Sequence, residues 1–408
     1  MKRKKFELFL DLAIITVLIG AFFPLYLKMQ GKGFDPIEGD PLRRGFLLVG
    51  YGLAFFLSIR YVKKAIKVVS NNYLYWIFVL LPLFSVFWSD IPALTFRRSV
   101  GLLLTSLYAF TLVLRYTDEE IMTILFSSLV VSLTASAFVI ILAPQWGTHL
   151  YLDDVVWRGI FEQKNTLGIN SFLLILSGVW LFQFYPASRI VKWMYGGAIF
   201  IALILLFGSR SMTANILVLV LITFWITSRL WFRLQRSHHV LFPMLLFGSI
   251  LTPLVILENY DQLLKILGRY VTFNSRIVLW QELLPLALQR FWIGYGYSAF
   301  WLGWEGPSAE IWKRLNWLPA HAHNGYINLF LNLGALGLVL GMALLGILVL
   351  KTFYLYNQRN PLKNLTAYFL ISFFLLNITE NFFLRSNNIW WLLFSYLSIK
   401  SGDIKVKL

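Results

Sequence analysis

No cysteine occurs in the chain, which excludes disulfides, thiolate metal sites and cysteine nucleophiles. Charge is scarce: 13% of the residues are Asp, Glu, Lys or Arg, against about a quarter in a soluble globular domain. No Gly-Ser or charged low-complexity linker divides the sequence, so residues 1–408 read as one integral domain. There is no internal repeat with matching broken spans, the pattern secondary transporters often show. The alternating ten-residue segments of a β-barrel are missing too. After the basic-then-apolar start MKRKKFELFLDLAII no small-residue cleavage site follows, which predicts an uncleaved first span.

What fills the chain is apolar sequence, 58% of it hydrophobic. Runs of 18 or more nearly uncharged residues recur, the length needed to cross a bilayer as helix, and open sheets cannot satisfy their edges in lipid. The expected fold is all-α: a polytopic helical membrane protein with twelve spans. They lie near 8–27, 45–60, 73–88, 100–116, 120–143, 166–185, 190–207, 211–230, 240–257, 325–350, 366–383 and 388–400. The last is short for a ~30 Å core and reads as tilted or partly buried. The sixteen Trp suit interfacial belts.

The net charge of +17 invites a nucleic-acid partner, but basic residues flanking spans and facing anionic lipid explain it better, so no nucleic acid is expected. With the N-terminus cytoplasmic, that side receives Lys2 to Lys5, Arg60, Lys63, Lys64, Lys67, Arg115 and the basic residues of later short loops. The short loops opposite receive about half as many. This predicts both termini cytoplasmic and places the one long polar stretch, 258–324, on the outer side.

Four places carry polar chemistry. WRGIFEQKNTLGIN holds Arg158, Lys164 and Asn165 where the sixth span begins, either an anion site at a helix N-terminus or a positively flanked helix start. FGSRSMTAN holds Arg210 in a tight hydroxyl-rich turn, where its planar fork suits phosphate or its charge simply snorkels to the interface. In the long segment, FNSRIVLWQELLPLAL predicts an interfacial helix with Ile277, Trp280, Leu283, Leu284 and Ala287 on one face and Arg276 in its first turn, aimed at the spans or at water. LPAHAHNGYINLFLNLGALGL then sets His321, His323 and Asn324 before the tenth span. An alternating His pair can bind metal, but no third ligand has convincing spacing, Glu305 and Glu310 being unanchored. A general base is the better reading, because neutral imidazole takes a proton from a hydroxyl near pH 7. Further on, NITENFFLRSNN places Glu380 and Arg385 at the end of the eleventh span, where a Glu can pair with an outer Arg or orient a histidine.

From Arg158 to Arg385 the succession GIFEQKNTLG, SRS, NSRIVLW, GYGYSAF, AHNGYINLFLNLGALGL and ITEN resembles the O-antigen ligase and O-antigen polymerase superfamily, which includes exopolysaccharide polymerases. The sequence departs from it at Gln163, where many relatives have histidine; residues 1–150 carry no motif of it. The resemblance implies a GT-C-like membrane glycosyltransferase at the outer face of the bacterial inner membrane. It implies a donor glycan on undecaprenyl pyrophosphate, a glycan or lipid-linked acceptor, and no cofactor or metal. By motif it assigns Arg210 and Arg276 to the pyrophosphate, with Lys164 and Arg158 beside them, and His323 to the acceptor; Asn165, His321, Asn324 and Glu380 are candidate supports. The rival from another class is a lipid-linked glycan flippase. A transporter puts ionisable groups deep in its spans, along a path; here Asp11 and a few residues at span ends are the only candidates, and the polar chemistry is clustered on one side.

Overall fold

The apolar stretches become helices packed around a continuous core. The computed structural model describes residues 2–31, 40–151, 154–233, 273–315, 318–357 and 362–403; the expected span at 240–257 lies outside them, as do Lys32, Asp35, Glu38, Asp153, Arg236, Lys265 and Arg269. The helices are α1 (Lys2–Leu18), α2 (Phe23–Met29), α3 (Pro41–Ser58), α4 (Val62–Ser70), α5 (Tyr73–Phe84), α6 (Pro92–Arg115), α7 (Asp118–Leu142), α8 (Pro144–Gly147), α9 (Lys164–Phe184), α10 (Arg189–Ser209), α11 (Met212–Arg233), α12 (Phe273–Gln289), α13 (Ser308–Arg314), α14 (Gly325–Asn357), α15 (Leu362–Thr379) and α16 (Ile389–Lys400). The one sheet among the described residues is a hairpin, β1 (Thr148–Tyr151) antiparallel to β2 (Asp154–Trp157).

Six helices among the described residues are long and apolar enough to cross a membrane, and four shorter apolar helices accompany them. The expected first span, 8–27, is instead a pair bent by 62°. Gly20 and Phe22 take positive φ there, and Pro24 opens α2. The last helix, short and expected to be tilted or only partly buried, is enclosed by the bundle along its length. Residues Ile389 to Ile399 are all buried, with Trp390 stacked on Phe369 and Phe394 on Phe373. A helix that is apolar all round is one that is surrounded, so α16 does not need to match the bilayer thickness by itself.

The tenth span is not continuous. Gly334 breaks α14 with φ 62° and ψ −161°, a conformation glycine adopts without a Cβ penalty. The segment 291–296 fills the break. Tyr295 and Gly296 donate to the carbonyls of Leu331 and Asn332, while Ala335 and Leu336 donate to those of Phe291 and Trp292, at 2.7–3.1 Å. Backbone groups freed inside an apolar bundle must find partners, and WIGYGY supplies them.

At one end of the bundle, Lys4 pairs with Glu120, Arg60 with Glu7 and Lys400 with Asp118. Between α1 and α6, Asp11 is fully buried against Arg115 at 2.8 Å and accepts the hydroxyls of Tyr108 (2.9 Å) and Tyr116 (2.6 Å). The ionisable group that suggested a transport path is therefore saturated within the protein. Replacing Asp11 by Ala strands a buried guanidinium, an effect worth about 3–5 kcal/mol. A clear drop in the thermal unfolding midpoint of the detergent-solubilised protein is expected, and an unchanged midpoint would show that the pair carries no stability.

Candidate functional site

Polar chemistry gathers at the opposite end. Its centre is the loop before α14, where His323 sits at φ 47°, an uncommon backbone state for a non-glycine residue and one that often marks functional sites. The backbone N–H of His323 donates to His321 Nδ1 at 3.1 Å, so a neutral His321 carries its proton on Nε2. The rings lie 4.1 Å apart. Trp280 of α12 ties the loop down through Ala322 O at 2.8 Å, and Asn324 caps α14 by accepting from the N–H groups of Tyr326 and Ile327.

The third component is the turn that ends α15. Asn377 Oδ1 accepts from the N–H groups of Phe382 and Phe383 at 3.0 Å, which stops the helix at Thr379 and exposes Glu380 to the histidines. Ligating atoms of His321, His323 and Glu380 all lie within 4.8 Å of one another. Asn165 of α9 donates to Glu380 at 3.2 Å. Arg276 of α12 donates to Thr379 O at 2.7 Å and stands 3.9 Å from Glu380. The third group that spacing did not supply is thus Glu380, which the sequence placed at a span end as a partner for an arginine or a histidine. Of the two acids considered there, Glu310 is near Arg314 and Glu305 is exposed on a 3-10 turn. This donor set has the geometry to take a divalent cation, although two guanidiniums, Arg276 and Arg385, oppose further positive charge.

Electrostatics separate the roles. Burial, and then the nearby charges of Arg276 and Arg385, push His323 down to about 4. His321 is held well below the ordinary imidazole value by burial, His323 and the same arginines. Burial pushes Glu380 up, against the opposing pull of Arg276, Arg385 and Asn165. Both imidazoles are neutral near pH 7 and able to accept a proton.

Arg210 stands in the tight turn between α10 and α11, and α11 touches the end of α15. Arg210 sits left-handed at the end of α10 with φ 48°, and Thr213, three residues on, lies 3.4 Å from the hydroxyl of Thr379. Arg210 itself pairs with Asp154 of the hairpin. Lys164 lies over the Tyr151 ring at 3.7 Å. Arg158 donates to Trp146 O and Glu162 O at 3.0–3.3 Å, holding the foot of the hairpin and not the histidine cluster. The GIFEQKNTLG and SRS motifs meet where Gly168 packs on Ser209 and Ser211, and AHNG meets NITEN where Gly325 lies against Asn377; a Cβ at either glycine would come within 2.6 Å of the neighbouring side chain.

The buried face of α12 differs from the expected one. Leu279, Leu283, Leu286 and Ala287 form a small core with Phe300, Trp301 and Leu331, whereas Ile277 and Leu284 are exposed. Val278 and Leu288 are exposed as well, which gives the helix two apolar faces, and Trp292 just beyond it is exposed too. The sequence reading also missed Asn328 and Asn332, which follow Asn324 at four-residue intervals on α14. Both are buried and line a cavity beside His321; amides spaced one turn apart at the start of an apolar span were the available signal.

A helical bundle with a histidine, carboxyl and arginine cluster at one end defines a multi-pass membrane protein with a built polar site. Residues 195–342 match the O-antigen ligase family model. The chain is also 25% identical over 308 residues to the exopolysaccharide production protein ExoQ of Rhizobium meliloti (strain 1021), covering 72% of this chain and 68% of that one. Together the two matches support its membership of the O-antigen ligase and polymerase superfamily.

Proposed function

We propose that the protein is a glycosyltransferase that moves a glycan from a polyprenyl-pyrophosphate donor onto an acceptor sugar hydroxyl, in the production of an extracellular polysaccharide. The observation that carries this reading is the meeting of a neutral imidazole, His323, with Arg276 and Glu380 in one half-buried cluster. In the reaction the acceptor hydroxyl attacks the anomeric carbon and gives its proton to His323. The bond from that carbon to the pyrophosphate oxygen breaks, and lipid pyrophosphate leaves with the electron pair. Arg276 and Arg210 stabilise the negative charge that develops there. Donor phosphate next to Arg276 also offsets the cations that depress His323, making it a stronger base once the donor is bound. The site faces the outside of the bacterial inner membrane with both termini in the cytoplasm, as the distribution of Lys and Arg in short loops supports.

Arg210 must leave Asp154 to reach a phosphate. Asp154→Asn removes the competing carboxylate, so the donor concentration for half-maximal transfer is expected to fall several-fold with little change in maximal rate. An increase would mean that the pair holds Arg210 in its working position. The whole reading is tested with the purified protein, a polyprenyl-pyrophosphate glycan donor and a soluble acceptor. An enzyme releases free lipid pyrophosphate, whereas a flippase moves the donor across the bilayer and releases none.

A further inference from the structure

Beside the histidine cluster lies a cavity of about 890 Å³ whose wall includes His321 and Glu380, at the upper end of the roughly 300–1,000 Å³ typical of small-molecule sites. Arg276, Arg210 and Lys164 are not among its lining residues, but Glu380, which lines it, is 3.9 Å from Arg276, so the cavity adjoins the proposed pyrophosphate contacts. Guanidiniums line it from three elements: Arg43 and Arg44 of α3, Arg97 and Arg98 of α6, and Arg385 of the turn after α15. Arg43 donates through one nitrogen to Val17 O (3.3 Å) and Asn387 O (3.0 Å), and its Nε is buried with no hydrogen bond. Arg98 donates to Ser298 O at 3.2 Å. Arg385 reaches Asn381 O at 3.4 Å and is exposed. Among the described residues, neither Arg43 nor Arg385 has a carboxylate within ion-pair distance.

Three acids also face the cavity. Asp40 caps α3 through Oδ1 while its Oδ2 is buried without a hydrogen bond, and Glu380 is engaged by Asn165 and Arg276, so Asp40 and Glu162 are the acids set against the guanidiniums. The far wall is amide and aromatic. Asn328 Oδ1 accepts from Trp301 Nε1 at 2.8 Å, and Asn332 Oδ1 from the N–H of Ser298 at 3.1 Å. With both amide oxygens engaged, the NH₂ groups remain as donors. Amide donors for hydroxyls, an indole surface and paired guanidiniums form the chemistry that recognises a sugar bearing a carboxylate.

We infer that this cavity receives the acceptor glycan, and that Arg43, Arg98 and Arg385 select an acceptor carrying a carboxylate, a uronic-acid type of saccharide. The inference rests on the proposed transferase reading for its term acceptor, and on the cavity itself for its choice of an acidic sugar. A carboxylate held there brings a neighbouring hydroxyl up to the wall formed by His321 and Glu380, whose ligating atoms lie within 4.8 Å of that of His323, the base of the proposed reaction.

The test is binding to the full-length protein in detergent. The probes are a glucuronate-ended tetrasaccharide and the same oligosaccharide with its carboxyl reduced to the alcohol. Wild type is expected to bind the acidic probe about tenfold more tightly, with a preference that shrinks as salt rises. Arg385→Gln, at an exposed side chain that holds no other helix, is expected to remove the preference and leave the neutral probe unchanged. Arg43→Gln is expected to do the same. Equal affinity of wild type for the two probes overturns the inference, and so does a preference that survives both variants. Loss of polyprenyl-pyrophosphate binding with the acid preference intact would assign the cluster to the donor and overturn it as well. His323→Asn is expected to keep the preference. A wild-type protein that prefers the acidic probe but releases no lipid pyrophosphate would sink the transferase reading while leaving the acidic-sugar site standing.

Discussion

Replacing His323 by Asn is expected to cut glycan transfer by about 10³-fold, within the 10²–10⁴ range for a lost general base. Asn is the informative choice because it tolerates the left-handed backbone found at this position better than Ala does, so the loop keeps its shape. The peptide N–H at 323 still donates to His321 Nδ1, and Trp280 still anchors Ala322. The protein should therefore insert and unfold as wild type does while chemistry fails. His323→Ala is expected to lose at least as much activity, with a small cost in backbone strain. Near-normal transfer in both variants would pass the role of base to His321 or Glu380, the other two members of the cluster.

Arg276→Lys is expected to lower transfer about 10²-fold, close to the effect of removing one preorganised donor from a charge-stabilising site. Arg276 does two things at once. One nitrogen holds Thr379 O at 2.7 Å, and another lies 3.9 Å from Glu380. A lysine ammonium is a point charge without the planar fork, so it can keep one contact or face the phosphate, but not both. Arg276→Gln carries a further signature. Removing a cation that depresses His323 raises its pKa from about 4 toward the ordinary imidazole value. His323 must be neutral to act, so activity is lost as pH falls through that pKa. The acid limb of the pH profile should accordingly move to higher pH in Arg276→Gln. An unmoved limb would mean that Arg276 and the titrating group do not interact.

Composition and run length were enough to read the architecture, because a bilayer imposes a length and an apolarity that few other environments demand. Eleven of the twelve apolar stretches coincide with described helices or with the bent α1–α2 pair; the twelfth lies outside the described residues. The interior of that architecture was less legible. Nothing local says that Ile389–Lys400 is surrounded, since an apolar helix reads alike against lipid and against protein. The break at Gly334 was hidden in a run of small and aliphatic residues, and its cause, the strand of backbone at 291–296, lies far away in sequence.

The site was legible as a list and not as a place. His321, His323 and Arg276 were visible because imidazole and guanidinium are scarce in apolar surroundings. Glu380 joins them only because Asn377 ends α15 at Thr379, a tertiary event that no spacing rule expresses. Lys164 and Arg158 belong to the hairpin and its foot, a use that basic residues ahead of a span do not announce. Asp11 was visible as one of the few ionisable groups a transporter could use, and the same isolation makes it a stabilising one: a lone acid in a span needs a partner, and Arg115 is that partner.

The most direct test of the account is a single turnover by the purified protein, reading the anomeric configuration of the new linkage together with the lipid pyrophosphate released. Direct attack on the donor with His323 as base predicts an inverted linkage and one pyrophosphate freed for each bond formed. A retained linkage, or bond formation without release of lipid pyrophosphate, would contradict it.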